Sequence, residues 1–291
     1  MISLPDKDWN LLIRSIKIGR CTPFIGAGAC YGVLPLGADI ARQWATSHDY
    51  PFEDSNNLIK VAQFLAVEND PMFPKDEIVQ MFSDLNAAPD FKDKSEPHRL
   101  LADLPLAVYL TTNYDDFMTR ALESRNRDAK REICRWNSLT KSEPSKFDEG
   151  YKPTVANPVV FHLHGHTGRP ESIVLTEDDY FDFLVNVSRD QMVIPERIQQ
   201  ALTETSVLFI GYGLADWNFR VLLQGLSRFM EKGLARGHMA IMLPPSSDSE
   251  AQRQKAQTYL SNYYQNIDVK ICWATARDFC TELRARWEAA Q

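Results

Sequence analysis

Short apolar runs alternate with helix-patterned stretches along almost the whole chain, and this alternation restricts the fold more than any other feature. The runs Cys21–Ile25, Leu106–Thr111, Pro158–Leu163, Val207–Gly211, His238–Leu243 and Ile267–Trp273 are rich in aliphatic, β-branched and aromatic residues. Several are apolar nearly throughout, as strands covered on both faces must be. Helices are predicted over Asp6–Arg20, Ala38–Ser47, Asn57–Glu68, Lys75–Asn86, His98–Asp103 and Asp115–Ser124. Others are predicted over Glu177–Asn186, Ile194–Glu204, Asp216–Glu231, Ser249–Tyr264 and Arg277–Ala289. The alternation predicts an α/β fold, a Rossmann-like doubly wound and mostly parallel sheet. Residues 31–105 and 165–205 carry helical patterns without strands and read as helical insertions over that sheet. The polar, proline-bearing stretch Asn137–Asn157 reads as a loop.

Composition narrows the class. With 44% apolar and 24% charged residues the chain is not wholesale disordered. No apolar run approaches the ~18–20 residues that span a bilayer, and the first ten residues lack a secretory layout. The five cysteines, Cys21, Cys30, Cys134, Cys272 and Cys280, are odd in number and contain no CxxC pair. That pattern fits neither a disulfide framework nor a zinc ribbon, and predicts reduced thiols in a cytoplasmic protein. The net charge of −7 argues against a general nucleic-acid binder. One local exception is Arg125–Arg135, with five basic residues against two acidic ones. A solvated helix face accounts for it more simply than a phosphate-binding patch.

An open parallel sheet binds ligands beyond the carboxyl ends of its strands, where strand order reverses. The first run is followed by Gly26-Ala27-Gly28-Ala29-Cys30 and the second by Thr112-Asn113-Tyr114-Asp115-Asp116. The third is followed by His164-Gly165-His166, and Gly211-Tyr212-Gly213-Leu214 closes the fourth. Glycine turns let backbone N–H groups approach a phosphate, and two of them could grip one pyrophosphate. The first turn departs from the dinucleotide fingerprint because its sixth position is Tyr31. Asn113 and Asp115 can hold ribose hydroxyls, a water or a leaving group; equally, they can cap a turn and the next helix.

His162, His164 and His166 would share one face if the strand continued, which admits a metal reading with Asp115 or Asp116 as further ligands. Gly165 interrupts that run and scatters the side chains, so a catalytic base at His164 is preferred to metal ligation.

Taken together, these motifs resemble the sirtuin superfamily. GAGAC is similar to its nucleotide loop, with Cys30 in place of serine, and TNYD (Thr112–Asp115) to its T-x-N-x-D element. His164-Gly165 is similar to its catalytic histidine–glycine pair, and Gly211-Tyr212-Gly213-Leu214 to its last glycine turn. Pro97-His98 resembles the helix preceding the T-x-N-x-D strand. The resemblance departs at the four-cysteine zinc module of deacylating sirtuins, since residues 165–210 contain no cysteine. The TTNYDD and GYGLADWN wording instead resembles the sirtuin-like NAD hydrolases of bacterial anti-phage defence.

The resemblance implies one sirtuin-like domain over residues 1–291 that cleaves NAD to nicotinamide and ADP-ribose in abortive infection. NAD is then the substrate, bound metal is none, and no zinc is expected. Asn113 and His164 are implied as catalytic. Gly26, Ala27, Gly28, Asn113, Asp115, Gly211, Tyr212 and Gly213 are implied as NAD contacts, and Thr275 and Ala276 are expected at the adenine. No sensor domain is left over, which implies a homo-oligomer, possible docking surfaces at Tyr31–Pro105 and Tyr180–Val193, and a separate partner. The family-level partner is a HerA-type ATPase or, less favoured, a short Argonaute-type protein; no direct nucleic-acid or membrane contact is expected. Alternatives are an NAD-dependent protein deacylase, a non-catalytic NAD or ADP-ribose sensor, and a metallohydrolase built on the three histidines.

Overall fold

The structure is a computed structural model, which describes residues 4–213, 237–245 and 249–291. The expected helix Asp216–Glu231 and Leu214 lie outside the described residues. Seven strands form one parallel sheet: β1 (Cys21–Ile25), β2 (Val108–Thr111), β3 (Lys130–Ile133), β4 (Val159–His162), β5 (Ser206–Tyr212), β6 (His238–Met242) and β7 (Val269–Trp273). Their order is β3-β4-β2-β1-β5-β6-β7, and every pairing is parallel. The predicted sheet is therefore present, with its first strand where the sequence places it.

Residues of β1 alternate between two cores. Phe24 faces Phe161, Phe209, Phe183 and Tyr264, a layer closed by α7 (Glu177–Arg189), α8 (Glu196–Glu204) and α9 (Glu250–Gln265). Ile25 faces Tyr109, Val160, Leu208 and Ile210. That layer is closed by α1 (Asp6–Lys17), α5 (Pro97–Asp103), α6 (Phe117–Glu123) and α10 (Ala276–Ala289), through Trp9, Leu101, Leu122 and Phe279. All five β1 residues are buried, which is why the strand reads as a continuous apolar run.

A third core joins α2 (Gly37–Ser47), α3 (Leu58–Glu68) and α4 (Phe73–Leu85) to the segment after β4, through Trp44, Leu65, Ile78, Ile173 and Leu175. Two polar devices set α7 against it. Thr176 caps α7 and exchanges hydrogen bonds with Asp179 at N3. Asp179 also accepts from Lys75 Nζ of α4 at 2.8 Å, and both side chains are largely buried.

The basic stretch Arg125–Arg135 corrects the solvated-helix reading, because Lys130–Ile133 forms the edge strand β3. Arg127, 9% exposed, donates to the carbonyls of Ala102, Leu104, Leu106 and Val155 and to the Tyr109 hydroxyl. Its fork of donors ties together carbonyls from segments far apart in the sequence. Among the described residues, no helix is long and apolar enough to cross a membrane.

Candidate active site

The chain runs from β1 outward through β2, then restarts on the other side of β1 at β5, so strand order reverses at the β1–β5 border. Both glycine turns stand there. Gly26 N–H donates to Ile210 O at 2.8 Å and Ala29 N–H to Gly26 O at 3.0 Å, opening the 3-10 turn Ala27–Cys30. A Cβ on Gly26 or Gly28 would lie 2.9 Å from the Gly211 carbonyl oxygen. Gly211 has φ +86°, and a Cβ there would lie 2.4 Å from Ala29 N. These glycines let the two turns interlock, a role separate from admitting a phosphate. Gly213, by contrast, is exposed, and among the described residues a Cβ there would meet nothing within 4 Å. Tyr212 ties the strand ends together: its hydroxyl donates to Ile25 O at 3.2 Å and pairs with Thr112 Oγ1 at 2.9 Å.

Asn113 follows β2 and leans across to β1. Its Nδ2 donates to Gly26 O at 3.3 Å and to Cys30 Sγ at 3.2 Å, and only 8% of the residue is exposed. Asp115 Oδ1 accepts the Phe117 N–H at 2.9 Å, an Asx-type turn leading into α6, whose N-cap position is Asp116. Its Oδ2 accepts from the Cys30 thiol at 3.4 Å. Cys30 Sγ is 4.0 Å from His98 Nε2, and His98 Nδ1 pairs with Glu96 Oε1 at 2.6 Å. Burial pushes the Asp115 carboxyl up despite His98 beside it. Burial, and then Asp115, push the Cys30 thiol well above its ordinary value. The Cys30 thiol therefore favours its protonated form.

β4 ends at His162, and Gly165 (φ +84°) turns the chain so tightly that a Cβ would lie 2.2 Å from Ser172 O. The three histidines consequently face different neighbours. His162 Nδ1 donates to the main-chain carbonyl of Asn113 at 3.1 Å. His164 lies edge-on to Tyr180 and Phe183 of α7, with ring centroids 5.2 and 5.1 Å away. His166 meets the His162 ring at 4.8 Å and its Nδ1 accepts from Gly168 N–H. Burial lowers the His162 pKa to about 4 and that of His164 to about 3, so both are neutral at pH 7. His164 Nε2 is buried without a hydrogen-bond partner among the described residues, as is His162 Nε2.

The switch point thus gathers Gly26, Ala27, Gly28, Asn113, Asp115, Gly211, Tyr212 and Gly213. Thr275 caps α10, and that helix packs against the Ala27–Cys30 turn. No hydrogen bond or ring contact among the described residues joins His164 to Asn113; His162 holds the asparagine segment instead. Of the described residues, the side chains close enough to share a cation are Cys30, His98 and Asp115, and not the histidine run. Sequence reasoning noted Cys30 and His98 without joining them, because they are 68 residues apart and no local pattern links them. Glu96, two residues from His98, was the one readable cue.

The SIR2-like domain profile matches residues 107–264. An NAD(+) hydrolase ThsA from Bacillus cereus is 27% identical over 91% of this chain and 53% of its own length. A second, from Acinetobacter baumannii, is 22% identical over 79% of the chain and 44% of its own length. Defense-associated sirtuin 2 of Bacillus subtilis is 25% identical over 76% of the chain and 20% of its own length. The chain spans about half, or less, of the length of these relatives.

Proposed function

The chain belongs to the SIR2-like family, and on that premise we propose that it hydrolyses the nicotinamide–ribose bond of NAD as the effector of an anti-phage system. The names of its relatives support the reaction class and the defence setting. One observation carries the reading to these residues: Asn113 of the β2 end reaches the Gly26 turn of β1 beside the point where strand order reverses.

Nicotinamide leaves NAD as a neutral base from a cationic bond, so the reaction needs little acid. Its barrier is an oxocarbenium-like ribose, as in glycoside hydrolysis. Asn113 and Asp115 fix that ribose and the attacking water. His164 accepts the proton from water or a ribose hydroxyl. Burial keeps its imidazole neutral, and its Nε2 has no hydrogen-bond partner among the described residues, which leaves the lone pair open to a proton. Ala27, Gly28, Gly211 and Gly213 line the phosphates, whereas the Gly26 N–H is committed to Ile210. Thr275 and Ala276 flank the adenine. The four-cysteine module is missing from residues 165–210, and no step is routed through a metal.

The whole of residues 1–291 acts as one sirtuin-like domain in a cytoplasmic homo-oligomer, regulated by a separate HerA-type ATPase. Phe181 (68% exposed) and Met192 (80%) in the Tyr180–Val193 segment support docking on that face. Chromatography of NAD after incubation with the protein, alone and with its genomic neighbour, tests the reading. Nicotinamide and ADP-ribose in equal amounts support it; intact NAD in both incubations contradicts it.

A further inference from the structure

Beside Asn113, three elements distant in sequence bring three ligand-type atoms together. Cys30 comes from the turn after β1, His98 from the first turn of α5, and Asp115 from the turn after β2. Their Sγ, Nε2 and carboxylate oxygen lie within 4.8 Å of one another. Cys30 and His98 are 3% and 1% exposed.

Each atom is aimed by a bond made elsewhere on its residue. His98 gives its Nδ1–H to Glu96 Oε1 at 2.6 Å, which turns the Nε2 lone pair toward the cluster. That is the carboxylate–histidine pairing which orients metal-binding imidazoles. Asp115 spends Oδ1 on the Phe117 N–H, leaving Oδ2 at 3.4 Å from Cys30 Sγ. Asn113 Nδ2 donates to the sulfur from the other side at 3.2 Å.

Around a tetrahedral zinc the ligand atoms stand roughly 3.3–3.7 Å apart, given bonds of about 2.0–2.3 Å. The sulfur–carboxylate separation already fits, the sulfur–imidazole separation of 4.0 Å needs a shift of a few tenths of an ångström, and the imidazole–carboxylate separation, within 4.8 Å, closes by up to about 1 Å as the ion seats. One thiol, one imidazole and one carboxylate form a borderline-soft set that favours zinc over magnesium or calcium.

We propose that Cys30, His98 and Asp115 bind one zinc-class divalent cation, oriented by Glu96. The site is distinct from both the four-cysteine module and the histidine run, and it replaces the expectation of a metal-free chain. Uptake exchanges the Cys30 thiol proton, and any carboxyl proton on Asp115, for two metal–ligand bonds, and the protons go to solvent. The cation then staples the turns after β1 and β2 to α5. This binding does not rest on the NAD reading and is tested without turnover.

The full-length protein, stripped with chelator, is titrated with cobalt(II) as an optical probe. The expected result is a thiolate-to-cobalt absorption band that saturates at one ion per chain and is bleached by zinc. Cys30→Ser should lose the band while the other four thiols remain. Glu96→Gln, with all three ligands intact, should weaken cobalt binding by about 10–100-fold. If Cys30→Ser does not fold, Asp115→Asn and the zinc dependence of the wild-type melting temperature decide. The midpoint should climb with zinc in the wild type and climb less in Asp115→Asn. Absence of the band, an unchanged band in Cys30→Ser, or a melting temperature indifferent to zinc would overturn the proposal, leaving a hydrogen-bonded cluster only.

Discussion

His162 Nδ1 donates to the main-chain carbonyl of Asn113 at 3.1 Å, so the last residue of β4 holds the residue that reaches toward β1. Removing that donor strands a buried carbonyl. His162→Leu keeps most of the side-chain volume and should destabilise the protein by about 1–3 kcal/mol. If the contact also aims Asn113 at the ribose, kcat for NAD should fall further than KM rises. Thermal melts and steady-state kinetics read both effects. Unchanged kcat in a destabilised variant would make the contact purely structural.

Gly211 and Gly213 should respond differently to the same substitution. Gly211→Ala forces a side chain into a left-handed backbone (φ +86°) with its Cβ 2.4 Å from Ala29 N, and should cost about 3–5 kcal/mol or prevent folding. Gly213→Ala meets nothing among the described residues within 4 Å and should change stability by less than about 0.5 kcal/mol. Urea midpoints compare the two. Equal losses would mean that the turns do not interlock as described.

Acid should destabilise the fold before any carboxylate titration. Burial lowers His162, His164 and His238 to about 4, 3 and 4, and His166 still further. Between about pH 4 and 6.5 the unfolded chain protonates these imidazoles while the folded chain does not. Stability therefore rises with pH through that window and falls on acidification, by roughly 2 kcal/mol per histidine from pH 7 to pH 5. Asp115, with its raised pKa, acts in the opposite sense, as one group against four. Denaturation midpoints at pH 7, 6 and 5 should drop in the wild type and drop less in His164→Gln. A flat profile would contradict neutral burial of the histidines.

What the sequence disclosed follows from where information is local. β1 is legible to the residue because CTPFI is buried on both faces and bounded by Arg20 and Gly26. β3 was hidden because it is a short edge strand in which Lys130 is only half-buried and Arg131 is exposed, so its charges resemble a helix face. Arg127 looked like part of that face, yet its role is fixed by carbonyls 21 or more residues away and by the Tyr109 hydroxyl. The same holds at the candidate site. Strand-end motifs named Asn113 and the glycine turns, but the Cys30–His98–Asp115 cluster needed the sheet to bring it together. The histidine run showed its spacing and not its directions, which Gly165 sets through a turn closed on Ser172.

On the proposed function, Asn113 and His164 act together on NAD at the switch point. The most direct measurement of that joint action is NAD turnover by the wild type, Asn113→Ala, His164→Ala and the double variant, with melting temperature and NAD affinity recorded for each. Both side chains sit at strand ends, so the variants should fold. The glycine turns should keep His164→Ala able to bind NAD. Each single variant should lose nearly all cleavage, and the double should lose little more than the worse single, as residues acting in one transition state do. A folded His164→Ala protein that cleaves NAD at near wild-type rate would contradict the account and leave the histidine a structural residue beneath α7.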